Sequence, residues 1–571
     1  MKTRIILLIS LCAILLPSCK GYLDKTYTTT VDEALAFSSY ENAITIAYSV
    51  YADLPQGLEY IWGSSSSAML ASACDEAEFT IQNHSVQKFN LGSWMATDLP
   101  DNKISAYYAS FRKVYNFLEH ADEINYDQVK DNPAAPGLYE TYVADVEQLK
   151  AEVLLLRAYY MFELIKRFGG MPIVDRKLSV DVDYSTIKRN SLEECVNDIV
   201  KACNDAAAVL PAKQPDAELG RLTKGAALAI KSEVLLYAAS ELWNNSSWAA
   251  GYAHPELISM SAGDRATRWK AAADAAKAVI DMEKAAGYSL DTYANIFGTS
   301  AYKSPEIIFC RRTSASNSFE KTNLPISYDQ VTGGNCPSQN LVDLFQVLNA
   351  DGTASDFDWN NPAQAADPYA NRDPRLASTI VTNNSYFKDR NVECWTGGRD
   401  GAGVRNCTPT GYYIKKFIYQ WSNLLNNETS LHTWIYIRLA EIYLNYIEAL
   451  NEYDPGNADI KLYYDKIRTR SGMPGLPSGL SQAEVRKLIR QERAVELCFE
   501  GQRFFDLRRW MDKENLSAPL RSVEITKQAD GSFIYKPYVL ESRAFEDKMY
   551  FYPIPQGELN KMPHWSQNPL W

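Results

Sequence analysis

Residues 489–510, "IRQERAVELCFEGQRFFDLRRW", hold a dense run of side chains that could do chemistry. Glu492, Glu496 and Glu500 recur every four residues and Asp506 follows, with Arg490, Arg493, Arg503, Arg508 and Arg509 interleaved. Paired carboxylates serve glycoside hydrolysis as acid and nucleophile or base, set about 5–10 Å apart across the scissile bond. Carboxylates one turn apart on a single helix are close enough, but they project the same way and cannot grip opposite faces of a sugar ring. On that helix Val485, Leu488, Ile489, Val495, Cys498 and Phe499 form one apolar stripe. Glu492 falls inside the stripe, and Arg493, three residues before Glu496, is within pairing reach of it. A carboxylate among apolar neighbours needs cations and hydrogen bonds to offset its desolvation. The stretch therefore reads as a charge-locked core helix with no catalytic residue.

Other chemistries find less support. The five histidines are scattered, and the ten cysteines show no C-x-x-C or zinc-like spacing, so no metal site is expected. Cys195 and Cys203 share a helix and cannot easily bond each other, whereas Cys394 and Cys407 flank "WTGGRDGAGVRN" and could close a loop disulfide. The net charge is −12 with no basic run, which argues against nucleic acid as a partner.

The positioning elements are helical. Residues 150–174, "KAEVLLLRAYYMFELIKRFGGMPIV", place Val153, Leu156, Tyr160 and Leu164 on one face and stop at Gly169-Gly170. The segments 221–243 and 435–453 repeat the pattern, and each of the three is followed by a second helical segment. Bulky Leu and Tyr alternating with Ala and Gly resemble tetratricopeptide hairpins, though the spacing of the units is uneven. A Gly-, Pro-, Asn- and Asp-rich insertion, roughly 290–430, interrupts the array and predicts loops and short strands. A second loop-like tract covers 63–102. The expected architecture is all-α, with helical hairpins and a loop-rich, partly β insertion. Its parts are a signal at 1–18, an N-terminal helical-repeat region at 19–289, and a C-terminal region at 290–571 containing the insertion.

The N-terminus, "MKTRIILLISLCAILLPSCKGYLDK", joins Lys2 and Arg4 to an apolar run, Ile5–Leu16, too short to span a bilayer of about 20 residues. The ending "LLPSC" resembles a bacterial lipobox, which makes Cys19 the expected lipidated N-terminus and its acyl chains the membrane tether.

Several motifs carry a wider resemblance. "RQERAVELCFEGQRFFDLRRW" is similar to the signature helix and turn of the SusD/RagB family. "LLLRAYYMFELIKRFGGMPIV", "GRLTKGAALAIKSEVLLYA", "NRDPRL" (371–376), "TGYYIKKF" (410–417), "IRLAEIYLNYIEALNE" and the terminal "YFYPIPQGELNKMPHWSQNPLW" extend it along nearly the whole mature chain. Cys498 replaces a more usual small or apolar residue. The resemblance implies an outer-membrane lipoprotein of Bacteroidota-type bacteria, facing the cell surface. Its role would be to capture oligosaccharides for a SusC-like TonB-dependent transporter without catalysis and without a cofactor beyond the lipid on Cys19. A RagB-like branch handles peptides instead, and a surface glycoside hydrolase is the rival enzyme reading. For ligand contact the loops offer Trp94, Trp359 and Trp395, whose rings could lie against a sugar face. Trp94 is favoured because similar N-terminal loops carry aromatic platforms in starch-binding members. Asp75 and Asn102 flank it in sequence as polar candidates.

Overall fold

The computed structural model describes residues 33–571, apart from 64, 65, 180, 262 and 330. Cys19 and the signal segment lie outside the described residues. The longer helices are α1 (Tyr40–Ala52), α2 (Ile104–His120), α3 (Leu138–Phe168), α4 (Leu192–Val209), α5 (Lys224–Ala239), α6 (Arg265–Ile280), α7 (Leu439–Tyr453), α8 (Ala458–Arg470) and α9 (Gln482–Glu496). A short helix, α10 (Arg503–Arg509), follows a tight turn after α9.

The predicted hairpins are present, and they stack as one array. α3 packs on α2 and α4, α4 on α5, and α5 on α6. The long insertion then leaves the array, yet α7 returns to pack on α6 and carries α8 and α9 with it. The interruption in sequence is thus no interruption in space, and one apolar core runs through residues on both sides of the insertion.

Local signals explain the boundaries. Ser191 and Ser481 open α4 and α9 as capping boxes with Glu194 and Glu484. α3, at 31 residues, is about 46 Å long and ends where Gly169 takes φ +71°. A Cβ on Gly169 would stand 2.2 Å from the Leu257 carbonyl oxygen, so the turn also needs the missing side chain.

Three sequence expectations need correction. In the segment 435–453 the first four residues are strand and not helix. Ile435-Tyr436-Ile437-Arg438 belong to a fully buried strand of β-branched and aromatic residues, a composition that suits a pleated surface. The strands that matter here are β1 (Ala77–Phe79), β2 (Ile307–Arg312), β3 (Asn335–Pro337), β4 (Thr433–Arg438), β5 (Leu520–Lys527) and β6 (Phe533–Glu541). β4 pairs antiparallel with β2, β1 with β3, and β5 with β6, in separate two-stranded sheets. The second correction concerns the stripe of α9. The helix stops at Glu496, so Cys498 and Phe499 lie beyond it, and Phe499 itself has φ +61°. Their burial comes from that turn. Third, Cys394 and Cys407 are free thiols and so form no loop disulfide.

Candidate functional site

The carboxylates of 489–510 are buried and claimed. Glu492 accepts from Arg375 of the "NRDPRL" motif and from Arg468 on α8, at 3.1 Å each. Glu496 accepts from Arg375 (2.8 Å) and Arg438 (2.7 Å) and pairs with Arg470. Glu500 is held by Arg438 at 2.8 Å and by Lys416 of "TGYYIKKF" at 2.7 Å. Arg493 pairs with Asp506 at 2.7 Å and with Asn445 at 2.6 Å. That corrects the expected Arg493–Glu496 pair: three other guanidiniums already surround Glu496, and Arg493 turns toward α10. Arg509 closes the network on Glu448, whose other donor is the Trp510 indole at 2.7 Å.

Burial alone would raise Glu496, Glu500 and Glu448, but the surrounding cations dominate. Arg470, Arg438 and Arg375 hold Glu496 well below the usual carboxylate range, and Arg509 holds Glu448 at about 2. A general acid needs the opposite shift and an open face. The cluster is an ionised lock that joins α7, α8, α9, β4 and the loop motifs.

The predicted ligand residues fare differently. Trp94 does lie outside the helices, but the residue is only 2% exposed. It is packed against Phe89 (5.2 Å between ring centres), Tyr552 (4.9 Å) and Trp571 (4.9 Å). This corrects the expectation of an open platform: the aromatic C-terminal segment folds over the indole and covers it. Asp75 gives both carboxylate oxygens to Arg503, at 3.0 and 2.7 Å. Asn102 is exposed and accepts from the Ile104 N–H at the start of α2. Trp359 is half-buried, edge-on to Phe357, with its indole N–H on Asp343 at 3.2 Å. Trp395 is half-buried against Phe533 of β6 with Lys527 above its ring. Trp359 and Trp395 both border the β5–β6 hairpin, since Asp343 also accepts from Arg521 on β5. Trp94, by contrast, is part of the packed interior, and Asp75 is half-buried in its ion pair with Arg503.

Open indoles occur elsewhere. Trp62 is 73% exposed at the end of a short hairpin strand, and Trp421 is 61% exposed in the loop before β4. Tyr419 stands beside it, also exposed. Hydrogen bonds lace their loops together. Asn335 of β3 accepts from the Met69 N–H (2.9 Å) and donates to Asn323 (2.8 Å), which ties the Trp62 hairpin to residues 317–335. That segment in turn holds the Trp421 loop: Asn317 donates to the Glu428 carbonyl at 3.0 Å, and Glu320 accepts from the Tyr419 N–H at 3.0 Å. His84 and Ser85 brace the hairpin through the carbonyls of Ser66 and Trp62. Sequence reasoning missed these two residues, although "IWGSSSS", a tryptophan ahead of Gly and Ser, signals a ring with nothing local to bury it.

This chain matches two models of one family. Residues 305–571 match the model described as "SusD family", and residues 22–236 match a SusD-like model described as "Starch-binding associating with outer membrane". The chain belongs to the SusD/RagB family. Among its relatives, SusD-like protein P2 of Formosa agariphila is 24% identical over 472 residues, covering 79% of this chain and 80% of that one. A crystal structure of a SusD-like protein from Bacteroides fragilis is 25% identical, with a TM-score of 0.76, covering 95% of this chain and 99% of the other. A SusD-like carbohydrate binding protein from the same species shares the fold at 21% identity and a TM-score of 0.72, covering 92% and 99%. The all-α, helical-hairpin architecture read from sequence is the fold of this SusD/RagB member.

Proposed function

We propose that this SusD/RagB member is a surface glycan-binding lipoprotein that captures oligosaccharides and delivers them to a SusC-like TonB-dependent transporter. Lipid on Cys19 would tether it to the outer membrane, and it would perform no chemistry on its cargo. The observation that carries this reading is the pair of open indoles, Trp62 and Trp421, on loops that hydrogen bonds tie together through residues 317–335. A sugar presents an apolar face to a ring and hydroxyls to its rim, and the loops supply both kinds of surface. The family description as starch-binding and outer-membrane associated supports the cargo class and the location. Glu496 of the signature stretch and Glu448 beside it, both ringed by cations and held low, speak for binding over hydrolysis.

Aromatic stacking contributes roughly 0.5–1.5 kcal/mol per ring beyond buried area, so affinity in the micromolar to millimolar range is expected, rising with chain length. The test is calorimetric titration of the mature protein with a panel of oligosaccharides and, in parallel, peptides. Heat with glycans that drops in Trp62→Ala and Trp421→Ala supports the reading. Binding of peptides alone would replace the cargo with that of the RagB-like branch. Release of reducing ends during incubation would overturn the non-catalytic role.

A further inference from the structure

Arg508, on α10, is a buried cation without an acid. The residue is only 7% exposed. Its Nε donates to the Met549 carbonyl at 3.3 Å and its Nη1 to the Phe504 carbonyl at 2.8 Å, while the guanidinium lies 3.6 Å from the Phe504 ring centre. Among the described residues Nη2 donates to no protein acceptor and no carboxylate pairs with this guanidinium. Every other arginine of the signature stretch that is this deeply buried has an acid: Arg493 has Asp506, Arg503 has Asp75, and Arg509 has Glu448. Burial pushes Arg508 down to about 10, with only tyrosine and cysteine groups acting against that fall.

The unpaired guanidinium borders a cleft of about 20 Å³, which opens outward past Asn515 and Ala544. That volume holds one particle of water or halide size. Two guanidiniums, Arg508 and Arg543, line the cleft against a single carboxylate, Asp75, and Arg503 already takes both Asp75 oxygens. Arg543 is engaged by Glu78 and Glu541. The remaining uncompensated charge is the positive one on Arg508. A water there would hydrate Nη2 but leave that charge unbalanced, and an unpaired buried charge is strongly unfavourable.

We propose that the cleft at Arg508 is a resident binding site for one small monovalent anion of halide size, held by the free Nη2. The anion gives the buried Arg508 guanidinium the counter-charge that Arg493, Arg503 and Arg509 take from Asp506, Asp75 and Glu448, and fastens the chain around Met549 to α10. It is independent of the Trp62 and Trp421 surface.

Bromide is the probe. Crystals of the mature protein grown in sodium bromide should show an anomalous peak within hydrogen-bond reach of Arg508 Nη2. In solution, replacing gluconate by chloride or bromide at constant ionic strength should raise the melting temperature and then saturate, as expected for an ion that binds only the folded state. Arg508→Gln should abolish that rise. Water at the site with bromide ordered only elsewhere would overturn the proposal. So would a bromide peak without any halide effect on melting, which would mark binding at crystal concentration only, or an Arg508→Gln protein whose halide response equals the wild type. If Arg508→Gln does not fold, the wild-type bromide map and halide titration still decide the matter.

Discussion

Arg438 donates to Glu496 twice, to its carboxylate at 2.7 Å and to its backbone carbonyl at 2.8 Å, across 58 residues of chain. The same guanidinium reaches Glu306 at 2.6 Å and Glu500 at 2.8 Å. One side chain therefore pins the last turn of α9 to the end of β4 and to the start of β2. Removing one partner from such a network leaves buried charge uncompensated, at a cost of about 3–5 kcal/mol. Arg438→Met should lose stability on that scale in urea unfolding. Arg438→Lys should recover only part of it, because an ammonium cannot reproduce the forked geometry. A change of less than about 0.5 kcal/mol in Arg438→Met, the ordinary range of surface substitutions, would show that the lock does not hold these elements together.

The tryptophans separate by role. Trp94→Ala empties a site bounded by Phe89, Tyr552 and Trp571, and truncating a buried Trp typically costs about 3–5 kcal/mol. Trp62→Ala and Trp421→Ala remove exposed rings and should leave the melting temperature nearly unchanged while glycan affinity falls. Thermal melts beside calorimetry give both readouts. A Trp94→Ala protein as stable as the wild type would contradict the packing. Unchanged glycan affinity in both Trp62→Ala and Trp421→Ala would move the binding surface elsewhere.

That division marks what was legible in the sequence. Periodicity revealed α3 through α9 because an amphipathic stripe is written in consecutive residues. It also revealed that Glu492 and Glu496 sit where only ion pairs would tolerate them. It could not supply Arg375 or Arg438, since those partners arrive from a short helix and a strand more than fifty residues away. Trp94 misled for the same reason: its neighbours up to Phe89 are local, but Tyr552 and Trp571 come from the far end of the chain. Ile435–Arg438 read as helix because a short apolar run has no period of its own. Exposure, likewise, is a property of the assembled surface, so Trp62 was visible only through the small residues beside it.

On the acid side, the network should weaken before the core does. Burial by itself would raise Glu448, but Arg509 and Trp510 hold it at about 2, against an ordinary 4.5. A folded-state value below the unfolded one gives stability that is present above 4.5 and is lost as pH falls toward 2. Urea midpoints should therefore drop through that window in the wild type. Glu448→Gln cannot take up that proton, so its midpoint should start lower and fall less steeply. Parallel profiles for the two proteins would show that Glu448 does not contribute to the acid limb.

On the alkaline side the sign reverses at Glu76. Its residue is 2% exposed, and its Oε1 accepts from the N–H of Phe499, the residue held at φ +61°, at 3.3 Å. Burial first, and then the charge of Asp75, push its carboxyl up to about 8 from an ordinary 4.5, against the pull of Arg503. Between those values the folded protein binds a proton that the unfolded chain has released, so stability falls as pH rises through the window and stays reduced above it. Glu78, raised by burial to about 7, adds to the same limb. Glu76→Gln keeps an acceptor for the Phe499 N–H and has no proton to lose. Its unfolding midpoint should match the wild type below about pH 4 and exceed it increasingly as pH rises toward about 9, where the wild-type carboxylate is ionised. Identical midpoints across that range would mean Glu76 is ionised in the folded state and that a cation has reached it.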